Sequence, residues 1–240
     1  MMASVGVLHA PGTNRDGEAA RAIALAGGRP EIVSIGTSLD RFAALVLPGG
    51  FSYGDALGAG ARLALEAGEA LVAFAATGRP VLGICNGFQA LVRAGLLPGP
   101  VASQRTVSLV ENERARFECR WVHLAVQSGA AANIAAELPA VISCPVAHGE
   151  GRIAVSDDVV PDPETILFRY VQEDGRPANG AYPDNPNGSL ADIAGLCNAA
   201  GNVWGLMPHP EDHLNLLADP FGRPNREGLG LFTALVRRAA

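Results

Sequence analysis

The chain has 240 residues, 48% hydrophobic and 18% charged, which excludes a disordered segment and allows a sizeable buried core. A formal net charge of −6 excludes an electrostatic footprint for nucleic acid, and no run of about 18 uncharged apolar residues offers a membrane span. With no basic signal-peptide start and four scattered cysteines (85, 119, 144 and 197) lacking any Cys-x-x-Cys, the expectation is a reduced cytoplasmic protein without disulfide framework or structural zinc.

Ser4 to Ala10 reads as an apolar strand, followed by a turn at Pro11-Gly12-Thr13-Asn14. Asp16 to Gly27 has helical composition and stops at the Gly27-Gly28 cap signal. Short strands are predicted at Glu31 to Ile35 and Ala43 to Leu47, the second running into the glycine-rich loop from Pro48 to Asp55. A helix rich in alanine and leucine, Ala59 to Thr77, is broken by Gly78-Arg79-Pro80. Val81 to Ile84 is a buried strand and Phe88 to Ala94 the start of a helix, with Cys85 at their joint. Strands alternating with helices imply βαβ units and a parallel sheet covered on both faces.

After Pro98-Gly99-Pro100 the texture changes. Arg116 to Val126, Val141 to Val155 and Ile166 to Val171 are strand-like, so antiparallel strands should extend or flank the sheet. Glu173 to Ser189 is crowded with Gly, Pro, Asn and Asp and predicts a long loop. Ala194 to Ala199 and Val203 to Met207 form a hairpin turning at Gly201-Asn202, and Leu229 to Arg238 closes the chain as a helix. The fold class is α/β: one domain over residues 1–240, a mostly parallel doubly wound sheet, and added antiparallel strands in the second half.

Gly83 and Gly87 flank Cys85 as Gly-x-Cys-x-Gly, the thiol form of a nucleophile elbow, in which a strand turns so sharply into a helix that only small neighbours fit. The turn presents the sulfur at the carboxyl edge of the sheet, beside a helix N-terminus that favours the thiolate. A buried, inert cysteine is the alternative, but it would not need both glycines. The base is sought in Met207-Pro208-His209-Pro210-Glu211-Asp212-His213. Residues before proline are extended, so His209 and Glu211 should point the same way with Cβ atoms about 7 Å apart, close enough for the carboxylate to fix the imidazole tautomer. The residues alone leave open a His-x-Glu-x-His metal site, with His148, His123 and His9 elsewhere, a solvated turn with no chemistry, and His213 as the base. The backbone amides of Asn86 and of the Gly49-Gly50 loop are the expected oxyanion donors. A cysteine peptidase and a non-catalytic partner-binding module are the competing readings.

Taken in order, Pro48-Gly49-Gly50, Gly83-Ile84-Cys85-Asn86-Gly87-Phe88-Gln89 and Pro208-His209-Pro210-Glu211 resemble the class I (triad) glutamine amidotransferases. Pro11-Gly12-Thr13-Asn14, Gly50 to Asp55, Ala147 to Arg152, Phe168-Arg169-Tyr170 and Asn185 to Ser189 narrow the resemblance to the glutaminase subunits of phosphoribosylformylglycinamidine synthases of purine biosynthesis. The resemblance implies hydrolysis of glutamine to glutamate and ammonia by Cys85, His209 and Glu211. It places Gln89 near the substrate; His148 and Glu150 are further candidates at the same mouth. It also implies a large ATP-using synthase subunit as partner, a small accessory subunit, and no cofactor in this chain, since ATP and magnesium belong to the partner. Three positions depart from the family pattern: Arg15 stands where a cysteine is frequent, Ala56 where a tyrosine is frequent, and Gly58 where an arginine is frequent.

Overall fold

The computed structural model describes residues 2–99, 107–130, 132–155, 161–215, 219–220, 222 and 227–240. Its first half runs β1 (Ser4–His9), α1 (Asp16–Leu25), β2 (Arg29–Ser34), β3 (Ala44–Leu47), α2 (Ala61–Ala76), β4 (Val81–Ile84) and α3 (Asn86–Arg93). The second half runs β5 (Val107–Glu111), β6 (Glu118–Val126), α4 (Ala132–Ala135), β7 (Val141–His148), β8 (Glu150–Val155), β9 (Ile166–Val171), β10 (Ile193–Cys197), β11 (Val203–Leu206) and α5 (Leu229–Arg238). Every residue of β3, β4, β10 and β11 is buried, the signature of strands covered on both faces. Among the described residues no helix is long and apolar enough to cross a membrane.

Nine strands form one sheet in the order β2-β1-β3-β4-β11-β10-β9-β6-β7, while β5 and β8 pair separately. The pairings from β2 through β11 are parallel and those from β11 to β7 antiparallel, so the expected α/β class with antiparallel additions is what the chain adopts. From β1 the chain steps outward to β2, then returns across β1 to add β3 and β4. With right-handed crossovers this reversal puts α1 and α2 on opposite faces and opens a crevice between β1 and β3 at the carboxyl edge. The loops leaving those two strands meet there in a bridge between Thr13 and Gly50. The position of Gly50, at φ +149°, is one that only glycine fills: a Cβ would lie 2.8 Å from both the Gly12 oxygen and the Thr13 Cα.

Element boundaries fall within a few residues of the predicted ones, and Ile166–Val171 and Leu229–Arg238 coincide with them. Pro100, in the predicted break, lies outside the described residues. The segment Val141 to Val155 splits into two strands that turn at Gly149 and join different sheets. The loop from Glu173 to Ser189 is pinned by its own polar side chains. Asn185 Nδ2 donates to the Ser189 carbonyl and to Asp192, and Asn187 Nδ2 to the Gly151 carbonyl, so buried backbone groups there find partners without a ladder.

Candidate active site

Register decides what gathers at the carboxyl edge. Leu47 lies opposite Gly83, and Ile84 opposite Leu206, so the segments leaving β3, β4 and β11 emerge side by side. The Cys85 amide donates to the Leu206 carbonyl at 2.8 Å, then the backbone turns with φ 51° and ψ −105° directly into α3. That conformation is rare for a residue with a side chain and marks a strained elbow. Both flanking glycines are sterically required. A Cβ on Gly83 would lie 2.5 Å from Leu91 Cδ1, and one on Gly87 would lie 2.0 Å from the Leu47 carbonyl oxygen. Because the second clash is with backbone, Gly87→Ala is expected to destabilise the fold by about 1–3 kcal/mol, read as a lower urea midpoint.

His209 leaves β11 with φ −106° and ψ 86°, and its amide donates to the Pro145 carbonyl at 2.7 Å. The extended geometry predicted from His209 to Glu211 does not hold. Pro210–Asp212 is a 3₁₀ turn, because proline fixes its own φ near the helical value and sits at the first position of that turn. The turn brings the carboxylate round instead, and His209 Nδ1 meets Glu211 Oε1 at 2.7 Å with both side chains buried. Burial opposes the charged ring, yet the Glu211 carboxylate and the Cys85 sulfur outweigh it and push the His209 pKa up to about 10. Nε2, the nitrogen turned away from Glu211, is buried and has no conventional hydrogen-bond partner. Gly49 admits the ring: a Cβ there would lie 2.7 Å from His209 Cε1.

The free edge of β7 lines this arrangement. Alternate carbonyls of one edge face it: Ala147 accepts from Cys85 Sγ at 3.8 Å, Pro145 from the His209 amide, and Ser143 from His213 Nδ1 at 2.6 Å. His213, weighed as a base or metal ligand, has its Nδ1 committed to the Ser143 carbonyl and stands edge-on to Trp121 with ring centroids 5.0 Å apart. Among the described residues no three His, Cys, Asp or Glu side chains are grouped to hold a metal ion. Cys144, on β7, is fully buried, and burial followed by the charges of Glu211 and Glu227 pushes its thiol well up.

The other predicted residues support the elbow from its far side. Asn86 Oδ1 accepts from the Ser52 amide at 3.1 Å, and its Nδ2 donates to Asp55 Oδ1 and Gln89 Oε1. Gln89 Nε2 donates to the Glu150 carbonyl, so Gln89 is buried in a network joining α3 to the β7–β8 corner. Burial pushes the Asp55 carboxyl up, and the Asn86 hydrogen bond opposes it. Phe51 and Ser52 amides are committed to Gly12 and Asn86, and Gly50 stands before them at the head of the loop. His148 is buried with Nδ1 at 3.1 Å from Asn112 Oδ1 and Nε2 unpartnered; burial, then the charge of His209, lowers its pKa to about 3. Asn112 carries no motif in the sequence, and the strand that positions it, Val107–Glu111, is not among the predicted ones.

The two buried histidines set opposite pH limits on stability. The His209 pKa is raised above 6.5, so its contribution is complete below pH 6.5 and is lost as the pH climbs through about 10. The His148 pKa is lowered, so its contribution is present above pH 6.5 and is lost as the pH falls toward about 3. Thermal melts across the pH range should peak near neutrality, with Glu211→Gln flattening the alkaline flank and His148→Gln the acidic one.

Residues 2–237 match the family described as the CobB/CobQ-like glutamine amidotransferase domain. The chain belongs to this amidotransferase family. A phosphoribosylformylglycinamidine synthase subunit PurQ from Treponema denticola is 46% identical over 237 residues, 87% of each chain. The subunit of the same name from Pyrococcus furiosus is 40% identical over 237 residues and 98% of each chain. A chain in the solved structure of PurLQS from Thermotoga maritima superposes with a TM-score of 0.79 at 33% identity, covering 99% of both chains. This amidotransferase therefore shares fold and length with the PurQ subunits.

Proposed function

We propose that this chain is the glutamine-hydrolysing subunit of a phosphoribosylformylglycinamidine synthase, with Cys85 as nucleophile, His209 as acid and base, and Glu211 as its orienter. The observation that carries it is a cysteine on a strained elbow beside a buried imidazole whose far nitrogen is bonded to a buried carboxylate. A protonated His209 is the neighbour a thiolate needs.

The Cys85 thiolate attacks the side-chain amide carbon of glutamine, forming a C–S bond and pushing charge onto the carbonyl oxygen. The amides of Asn86 and Gly50 hold that oxygen, each contributing about 3 kcal/mol in comparable sites. His209 Nε2 gives its proton to the departing nitrogen, the C–N bond breaks, and ammonia leaves a γ-glutamyl thioester. The neutral ring then takes a proton from water, the hydroxide adds to the thioester carbon, and the C–S bond breaks to release glutamate. Gln89 and His148 support this pocket through the bonds described above. Glu211 keeps the Nδ1 proton fixed throughout.

Ammonia set free in water is protonated and lost as a nucleophile, so the reading includes an ATP-using synthase subunit that receives it, with ATP and magnesium on that partner, and a small accessory subunit beside it. The PurQ relatives and the PurLQS neighbour support this assignment. The decisive test is treatment with a diazo-ketone analogue of glutamine followed by mass spectrometry. One label at Cys85, prevented by glutamine, is expected; labelling elsewhere or no protection would overturn the assignment. Glutamate formation should be slow for the chain alone and rise when the synthase subunit is added, and equal rates would remove the partner from the reading.

A further inference from the structure

Arg15 occupies a position whose local chemistry argues against it. It is the residue capping α1, where short polar side chains are strongly favoured, and its side chain makes no capping hydrogen bond to the backbone amides of the first turn. Its guanidinium reaches the catalytic turn instead. One terminal nitrogen donates to Asp212 Oδ1 and the other to Glu18 Oε1, while Nε lies 3.9 Å from Glu211 Oε1, the same oxygen that meets His209. Nε of Arg15 and Oε2 of Glu211 are both buried without a hydrogen-bond partner, a donor and an acceptor left open in one contact. The Arg15 stem runs along Gly49, its Cγ 3.3 Å from where a Cβ on that residue would stand, so the side chain touches the oxyanion loop and the His209–Asp212 turn at once.

We propose that Arg15 is a positioning residue for amide hydrolysis, clamping the Glu211–Asp212 turn to the Gly49–Gly50 loop so that base and oxyanion donors stay in register. This rests on the assignment of Cys85, His209 and Glu211 above. The guanidinium also competes with His209 for one carboxylate oxygen. The remaining groups facing the pair are Cys85 at the elbow and His148 and Cys144 on β7, with Asp212 and Glu18 outside and Glu227 beyond Cys144. None of these supplies a second cation to Glu211 in place of Arg15.

The test compares wild type, Arg15→Ala and Arg15→Lys, each in complex with the synthase subunit for turnover and as the single chain for labelling of Cys85. Arg15→Ala should lower kcat for glutamine about 10- to 100-fold, as misplacement around a catalytic group does, with KM within about threefold. The alkaline limb of the labelling-rate profile should move to higher pH, because Glu211, freed of its cation, holds the imidazolium proton harder. Arg15→Lys should restore part of kcat and the wild-type limb, since it returns the charge without the fork. Wild-type kcat and pH profile in Arg15→Ala would overturn the proposal, as would a lysine variant no better than alanine. If Arg15→Ala fails to fold, Asp212→Asn, which removes the clamp's outer anchor, should show a smaller loss of the same kind, and an unchanged kcat there would overturn it. Wild type that hydrolyses no glutamine and takes no label at Cys85 would instead defeat the underlying assignment, a result distinct from any of these.

Discussion

Cys85→Ala is expected to abolish glutamine hydrolysis, with a loss of at least about ten-thousand-fold in kcat, while leaving the fold intact. Alanine is smaller than cysteine and tolerates φ 51° no worse, so the elbow, its amide bond to Leu206 and the packing of Gly83 and Gly87 need not change. Only the sulfur is removed, and no other nucleophilic side chain stands at that turn. Melting curves and glutamate release measured on the same preparation separate chemistry from folding. In complex with the synthase subunit, the variant should still support the ligase reaction when ammonium salt is supplied at high concentration, because only the source of ammonia has been lost. Glutamate release within tenfold of wild type would remove the thiolate from the mechanism.

Glu211→Gln should be nearly as damaging, with kcat reduced about a thousandfold or more. Its side chain is fully enclosed and reaches His209 Nδ1 at 2.7 Å. An amide there fits the same space but loses the charge that most strongly supports the imidazolium. Rotated to present its N–H to Nδ1, it would also favour the tautomer with the proton on Nε2, which cannot accept from water in the second half-reaction. Two readouts distinguish these effects. The alkaline limit of activity should move down from the neighbourhood of pH 10, because the carboxylate that raised it is gone, and the thioester should accumulate if deacylation suffers more than acylation. Glutamate-free mass spectra of the enzyme during turnover would show the added γ-glutamyl group; a kcat within tenfold of wild type would release Glu211 from its role.

Much of this site was legible in the chain because its residues are constrained by geometry that few alternatives satisfy. A glycine two residues either side of Cys85 has no bland explanation once the clashes with Leu91 and with the Leu47 carbonyl are seen. Prolines on either side of His209 limited the backbone enough to pair it with Glu211, although the pairing is made by a 3₁₀ turn, since the restriction before proline ends at His209 and proline itself accepts helical torsions. The strand Val107–Glu111 escaped notice: its alternation spans five residues and it pairs outside the main sheet, so neither length nor hydrophobicity set it apart. The carbonyls of Ser143, Pro145 and Ala147 were invisible for a deeper reason. Backbone acceptors carry no residue type, and only the register of β7 against β6 reveals which side of the strand they serve. Arg15 showed as an oddity, and its reach to Asp212, 197 positions away, is a fact of tertiary structure alone.

That outermost strand has a consequence for how the protein survives at high concentration. An unclaimed row of carbonyls invites another molecule to add a strand, the usual beginning of β-linked polymers. Here the row is already occupied by a thiol, a main-chain amide and an imidazole, and Pro145 withholds the one donor an incoming strand would seek at its centre. A copy that docked there would have to displace Cys85, the His209 main chain and His213 first, so polymerisation through this border and the arrangement of the elbow beside the His209–Glu211 turn are mutually exclusive states of the same surface.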